Sequence, residues 1–161
     1  MLYAVLVAAL IALDQVVKYL VLTHIALGEH IPFLPYLLDL TYVRNTGAAF
    51  SILSEHTWLL TAVSLVMSVV LVWMLFKPMF RHPLGRLCVA LILAGAVGNL
   101  IDRAFRGFVV DMFHVLFMEF AVFNVADICV VVGGFGLAAY YLFGYDRLEG
   151  GEGHDRPDAD R

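Results

Sequence analysis

Charge is what this sequence has least of. Asp, Glu, Lys and Arg make up 15% of its 161 residues, and 62% are hydrophobic. A soluble domain carries about 25% charge and is about half apolar, so a water-solvated globular fold is excluded and an integral membrane protein is indicated. Positive charge is scarcer still. The formal net charge is −4, and the last sixteen residues, Asp146 to Arg161, hold six acids and three Arg. That leaves −1 for residues 1–145, and without a basic patch no nucleic-acid partner is expected. Cys88 and Cys129 are the two cysteines; both lie inside apolar runs without CxxC spacing, which argues against a disulfide or a thiolate metal site. No internal repeat is visible. Ser51, Ser54, Ser64 and Ser68 lack a G-x-S-x-G context, which disfavours serine chemistry.

What is present is length without charge. About 30 Å of hydrocarbon needs about 20 helical residues, and four stretches approach this: Leu2–Leu22, Trp58–Phe76, Leu84–Ile101 and Val125–Phe143. The first lacks a basic n-region and carries Asp14 and Lys18, so it reads as a retained span rather than a cleaved signal. Lys77, Arg81 and Arg86, unaccompanied by acids, set the 77–86 connection in the cytoplasm, which puts both termini there and residues 23–57 and 104–124 on the outer side. Arg44, Arg103 and Arg106 run against that rule and are expected to be held by partners. Leu38–Val43 alternates as a strand does, predicting a small β-rich element at the outer surface. Residues 108–122 read as strand or interfacial helix, and the tail from Asp146 as disordered. The expected architecture is a mainly α membrane protein, with one four-span domain over residues 1–145.

The few polar residues inside this frame carry the functional signal. Asp111 and Asp127 each sit against an apolar run, where a carboxylate is costly. Val110 and Met112 flank Asp111 and disfavour its charge, whereas Asp127 lies at the first turn of a helix, whose N-terminus favours the anion. Environments that push two carboxylates apart make an acid and a base. Asp14 and Lys18, four apart, share a helix face as a self-neutralising pair. Asn45 offers donors and an acceptor, and Gly47, Ala48 and Ala49 lack bulk, so backbone can approach closely. Asn99 and Asp102 share one face of the third span, and Asp102 is expected to pair with the adjacent Arg103 as a structural clamp. His24, His30, His56 and His114 are scattered, without H-x-x-x-H or paired acidic spacing, so no metal is expected.

Together these residues resemble a family. Asp14-Gln15-x-x-Lys18, Asn45-Thr46-Gly47-Ala48-Ala49-Phe50, Gly98-Asn99-x-x-Asp102-Arg103, Val109-Val110-Asp111 and Phe123-Asn124-x-Ala126-Asp127 closely resemble, in order and spacing, the motifs of bacterial lipoprotein signal peptidases (signal peptidase II). The resemblance implies an intramembrane aspartic endopeptidase of the bacterial inner membrane. It implies that prolipoproteins are cut just before a diacylglyceryl-modified cysteine, with Asp111 and Asp127 as the catalytic pair and no cofactor. Asp14, Lys18, Asn45, Gly47, Asn99, Asp102, Arg103, Asn124 and Ala126 then match supporting or substrate-contacting positions, with Asp102 as second choice for the pair. Met112 and Ile128 depart from the family pattern, where Phe and Ser are usual. The implied partners are the lipidated precursor and membrane lipid, and the protein is expected to be a monomer. The alternatives are a small proton-coupled transporter, which intramembrane ionisable residues suggest by default, and a non-catalytic assembly factor.

Overall fold

The computed structural model describes residues 1–47, 57–77, 79–80 and 82–144. The tail from Asp146, together with Ala48, Ala49 and His56, lies outside the described residues. Helix α1 spans Leu2–His24, followed by strands β1 (His30–Leu34) and β2 (Leu38–Asn45), helices α2 (Thr57–Phe76) and α3 (Pro83–Arg106), strand β3 (Val109–Val115) and helix α4 (Val125–Ala139). A π-helical turn, Tyr140–Gly144, extends α4, so that Val125–Gly144 reaches membrane-spanning length. All four expected spans are helices long and apolar enough to cross a bilayer.

Local chemistry sets the helix ends. Pro83 opens α3 behind His82, whose ring accepts from the Leu84 N–H at 3.2 Å, and Gly107 closes it in the left-handed region at φ 76°, a conformation that glycine adopts without steric penalty. The helix therefore continues five residues beyond the expected Ile101. Asp102, Arg103 and Arg106 consequently all lie on the helix, Asp102 as its shared face with Asn99 requires. α4 opens with a capping box: Asn124 accepts from the Asp127 N–H, and Asp127 accepts from the Asn124 N–H, satisfying two otherwise orphaned donors.

Large apolar side chains face outward along the helices, among them Leu13, Val16 and Leu20 on α1, Val63, Val66 and Val70 on α2, and Phe135 on α4. Such a surface suits lipid and would be untenable in water. α3 is the most enclosed helix, and small residues let its neighbours approach. A Cβ on Gly95 would stand 2.2 Å from the Ala126 carbonyl oxygen, and one on Gly133 would stand 2.7 Å from that of Cys88.

The three strands form one antiparallel sheet in the order β1-β2-β3. Residues 108–122 are thus resolved in favour of a strand, at Val109–Val115. The sheet lies at the end of the bundle where α1 and α3 finish and α4 begins. Val21 of α1 and Ile25, which caps it, pack there against Tyr42, Val110 and Met112 of the sheet. Phe123 folds back on β3: its carbonyl accepts from the Met112 and Phe113 N–H groups at 3.0 and 2.8 Å. That return brings Asn124 and the start of α4 alongside Asp111.

Candidate active site

Asp111 projects from β3 and is 2% exposed. Its Oδ1 accepts from the Asn124 amide at 2.6 Å and its Oδ2 from the Asn45 amide at 2.9 Å. Asp127 stands on the first turn of α4, with Oδ1 accepting from the Asn99 amide at 2.8 Å and Oδ2 from the Asn124 N–H at 3.1 Å. Asn124, fully buried, touches both carboxylates. Both also line one cavity of about 410 Å³, with Asn45, Asn99 and Arg103 at its polar end and Ile128 and Val130–Val132 along its apolar wall.

Three asparagines hold this pair by the same logic. A carboxamide has one acceptor oxygen and one donor NH₂, so occupying the oxygen turns the NH₂ outward. The Asn45 oxygen accepts from the Gly47 N–H at 2.9 Å, and that of Asn124 from the Asp127 N–H at 2.9 Å. The Asn99 oxygen accepts from Lys18 at 2.9 Å and from the Asn124 amide at 3.1 Å. Each NH₂ is left facing a carboxylate. Burial pushes the Asp111 carboxyl up to about 6, and the neighbouring charge of Asp127 adds to it; the hydrogen bonds from Asn45 and Asn124 and the charge of Lys18 pull the other way. The expected contrast between a charge-averse Asp111 and a helix-supported Asp127 is weaker than the sequence suggests, because asparagine amides serve both.

Behind the asparagines lies a buried ion network. Lys18 bonds Asp14 at 2.9 Å, Asp102 at 3.1 Å and Asn99 at 2.9 Å, using all three of its donors. The expected Asp14–Lys18 pair is therefore present and extends into the site. Asp102 does not pair with Arg103 as expected. Its partners are Lys18, Arg106 on the next helical turn, the Val110 N–H at 3.0 Å and the Gln15 amide at 3.3 Å. Adjacent helical residues point about 100° apart, whereas residues four apart share a face. Arg103 turns instead to the Gly47 carbonyl at 3.2 Å. Asp102 is fully buried with both its oxygens engaged, and the cavity lined by Asp111 and Asp127 does not include it.

Arg106 is held by partners as expected, at Asp102 and Gln15, and Gln15, which the sequence marks only within a motif, joins the network. Gln15 bridges Asp14, Asp102 and the Gly98 carbonyl, and accepts from Arg106 at 3.2 Å. The i,i+4 spacing of Asp102 and Arg106 was a usable signal once the helix is known to reach Gly107. Ala126 contributes its N–H, donated to Asp14 at 2.9 Å, and its methyl sits where only glycine fits opposite, at Gly98. Arg44, also against the charge rule, is held by the Tyr42 hydroxyl at 2.7 Å and lies over the Phe108 ring. Met112 is fully buried against α1 and Ile128 lines the cavity, so of the two departures only Ile128 bears on the site. The histidines are not all scattered: the sheet gathers His30 and His114 beside Asp39.

The fold and site define a multi-pass membrane protein with two carboxylates held over a cavity at one end of its helices. A protein family described as "Signal peptidase (SPase) II" matches residues 6–143. The chain is 47% identical over 130 residues to the lipoprotein signal peptidase of Streptococcus pneumoniae R6, covering 81% of this chain and 85% of that one. It is 42% identical to that of Streptococcus pyogenes serotype M2, covering 77% and 82%. Two solved structures described as bacterial membrane enzymes superpose with TM-scores of 0.83 and 0.80 at 26% and 29% identity. They cover 99% and 88% of this chain, and 94% and 92% of theirs. The chain belongs to the signal peptidase II family.

Proposed function

We propose that this protein removes signal peptides from lipid-modified prolipoproteins as an aspartic endopeptidase, with Asp111 and Asp127 as the reacting pair. Family membership and the names of its relatives support the substrate class. The observation that carries the chemistry is that one buried asparagine, Asn124, bonds both carboxylates at the edge of a shared cavity. Two adjacent carboxylates do not readily ionise together, so the pair holds one proton between them. Asp111, pushed up to about 6, keeps that proton and donates it to the scissile carbonyl oxygen. Asp127 takes a proton from the water that attacks the carbonyl carbon. Collapse of the tetrahedral intermediate transfers a proton to the leaving amine and returns the pair to its starting state.

A second cavity, about 970 Å³, shares Asn45 and Asp111 with the first and runs along Val43–Thr46 and residues 114–122. On this reading the peptide lies in the sheet-side cavity and the acyl chains lie along the apolar wall of α4. Arg103 lines the first cavity and donates to the Gly47 carbonyl at 3.2 Å, and both act there as supporting residues. The site then faces the outer surface, both termini are cytoplasmic, and the protein acts as a monomeric unit over residues 1–145. The transporter reading draws no support from the family, and scaffolding does not require paired carboxylates on a cavity.

The test is processing of a lipidated precursor by purified protein. Asp111→Asn and Asp127→Asn should each lose about 10²–10⁴-fold or more in rate while remaining folded. Asp102→Asn should keep measurable activity but melt earlier, because it weakens the ion network rather than the proton transfer. Near-normal turnover by either of the first two removes that residue from the pair.

A further inference from the structure

We propose that His30, Asp39 and His114 form a binding site for a zinc-type divalent metal ion on the sheet, separate from the Asp111–Asp127 pair. The three residues sit on three adjacent strands. Asp39 stands directly opposite His114 across β2 and β3, and His30 stands opposite Thr41, two residues along from Asp39. Directly paired residues share a face, as do residues two apart on a strand, so all three side chains leave the same face of the sheet. One ligand atom from each lies within 4.8 Å of the other two. His30 Nδ1 is 3.8 Å from Asp39 Oδ2, and the His30 and His114 rings meet edge to face at 5.1 Å between centroids.

Two imidazoles and a carboxylate are a donor set of catalytic-type zinc centres, which leave a further position for water. Zinc bonds of about 2.0–2.1 Å in tetrahedral geometry set ligand atoms about 3.3 Å apart. The His30–Asp39 separation is already near this, and the half-exposed His30 side chain is free to close the remainder. A second observation points the same way. His114 Nδ1 is buried and has no hydrogen-bond partner among the described residues, and neither has the hydroxyl of Thr41, which faces His30 in the register. Buried polar atoms in native folds are ordinarily satisfied. An ion at this point engages the imidazoles, and its bound water supplies a polar neighbour.

The site has a mechanical consequence. Every residue of β1 is exposed and the strand forms the outer edge of the sheet. An ion held by His30, Asp39 and His114 staples that edge across β2 to β3, the strand that carries Asp111.

The experiment titrates Zn²⁺ into the tag-free full-length protein in detergent by calorimetry, with Co²⁺ as a spectroscopic stand-in. One equivalent should bind, the cobalt form should show the intense visible bands of a tetrahedral site, and amide exchange in residues 30–34 should slow on zinc addition. His30→Gln, Asp39→Asn and His114→Gln should each weaken binding at least about 100-fold. His24→Gln, a surface control away from the cluster, should bind as wild type. Precursor processing by His30→Gln verifies that the variant is folded. Absence of zinc binding by wild type leaves only a His30–Asp39 contact and overturns the proposal, as does binding undiminished in all three variants, which assigns the zinc to another part of the protein.

Discussion

At the scale of single residues, the site is governed by where asparagine oxygens are spent. Lys18 can only donate, so Asn99 must present its oxygen to Lys18 and its NH₂ to Asp127. Reversing that order by Lys18→Met frees the Asn99 amide to flip and leaves Asp14 and Asp102 without their shared cation. For Asp111 the dominant effect is burial, which raises its value to about 6, above the ordinary carboxylate value near 4. A folded value above the unfolded one means that folding takes up a proton. Stability therefore falls as pH rises from about 4 to 6, and above about 6 the full penalty stands, on the order of 3 kcal/mol. Asp111→Asn removes it, so this variant should melt higher than wild type at pH 8 and lose that advantage near pH 4, as thermal unfolding in detergent at the two pH values will show. The same titration reaches the rate. Asp127's charge contributes to the value of about 6, so the value describes loss of the pair's last proton. On the proposed mechanism kcat/KM should decline as pH rises through about 6, with the limb displaced upward in kcat once substrate has driven water from the cavity. A rate that instead falls as pH is lowered through 6 would give Asp111 the ionised role.

Elements decide which residues can meet. Apolar length made four helices readable from sequence, and alternation at Leu38–Val43 made a strand readable. The end of α3 was not, because charge accumulates after Ile101 and hydropathy then reads as loop. Only the Gly107 cap shows that the helix runs on, and with it the Asp102–Arg106 pairing in place of Asp102–Arg103. Close approach between helices was equally hidden, since a glycine in an apolar run carries no periodic signal. Gly95 is the sharpest case, because backbone blocks its Cβ position: the Ala126 carbonyl oxygen would lie at 2.2 Å. Gly95→Ala must therefore push α4 away from α3, and α4 carries Ala126 and Asp127. Overpacking of this kind costs about 1–3 kcal/mol, and processing should fall with it. Gly134→Ala meets nothing within 4 Å and should match wild type in both melting and processing, as an internal control. Equal behaviour of the two variants would mean that α3 and α4 do not pack at Gly95 as described.

Over the whole molecule, long-range convergence is what sequence could express only through resemblance. Asn45, Asn99, Asp111 and Asp127 come from four elements, and neither hydropathy nor spacing gives the sheet register or the Phe123 return that unites them. The His30–Asp39–His114 cluster was missed for the same reason, since its histidines are neighbours only after three strands pair. The bundle also sets what a lipid can contribute. Lipid tails are as apolar as the wall formed by Ile128 and Val130–Val132, so moving an acyl chain from bilayer to groove gains little from the hydrophobic effect. On the proposed mechanism its benefit is positional: an anchored chain would fix the depth and orientation of the adjoining peptide bond over the carboxylates, converting an encounter into a near-intramolecular reaction. Binding energy used in this way appears in kcat as well as KM. A precursor whose modified cysteine is replaced by serine, and which therefore carries no diacylglyceryl group, should be cut at least about 100-fold more slowly at saturating concentration in the same detergent. If that precursor instead matched the lipidated one in kcat and differed only in KM, the acyl chain would serve as a membrane tether alone, and the apolar wall of α4 would have no part in aligning the scissile bond.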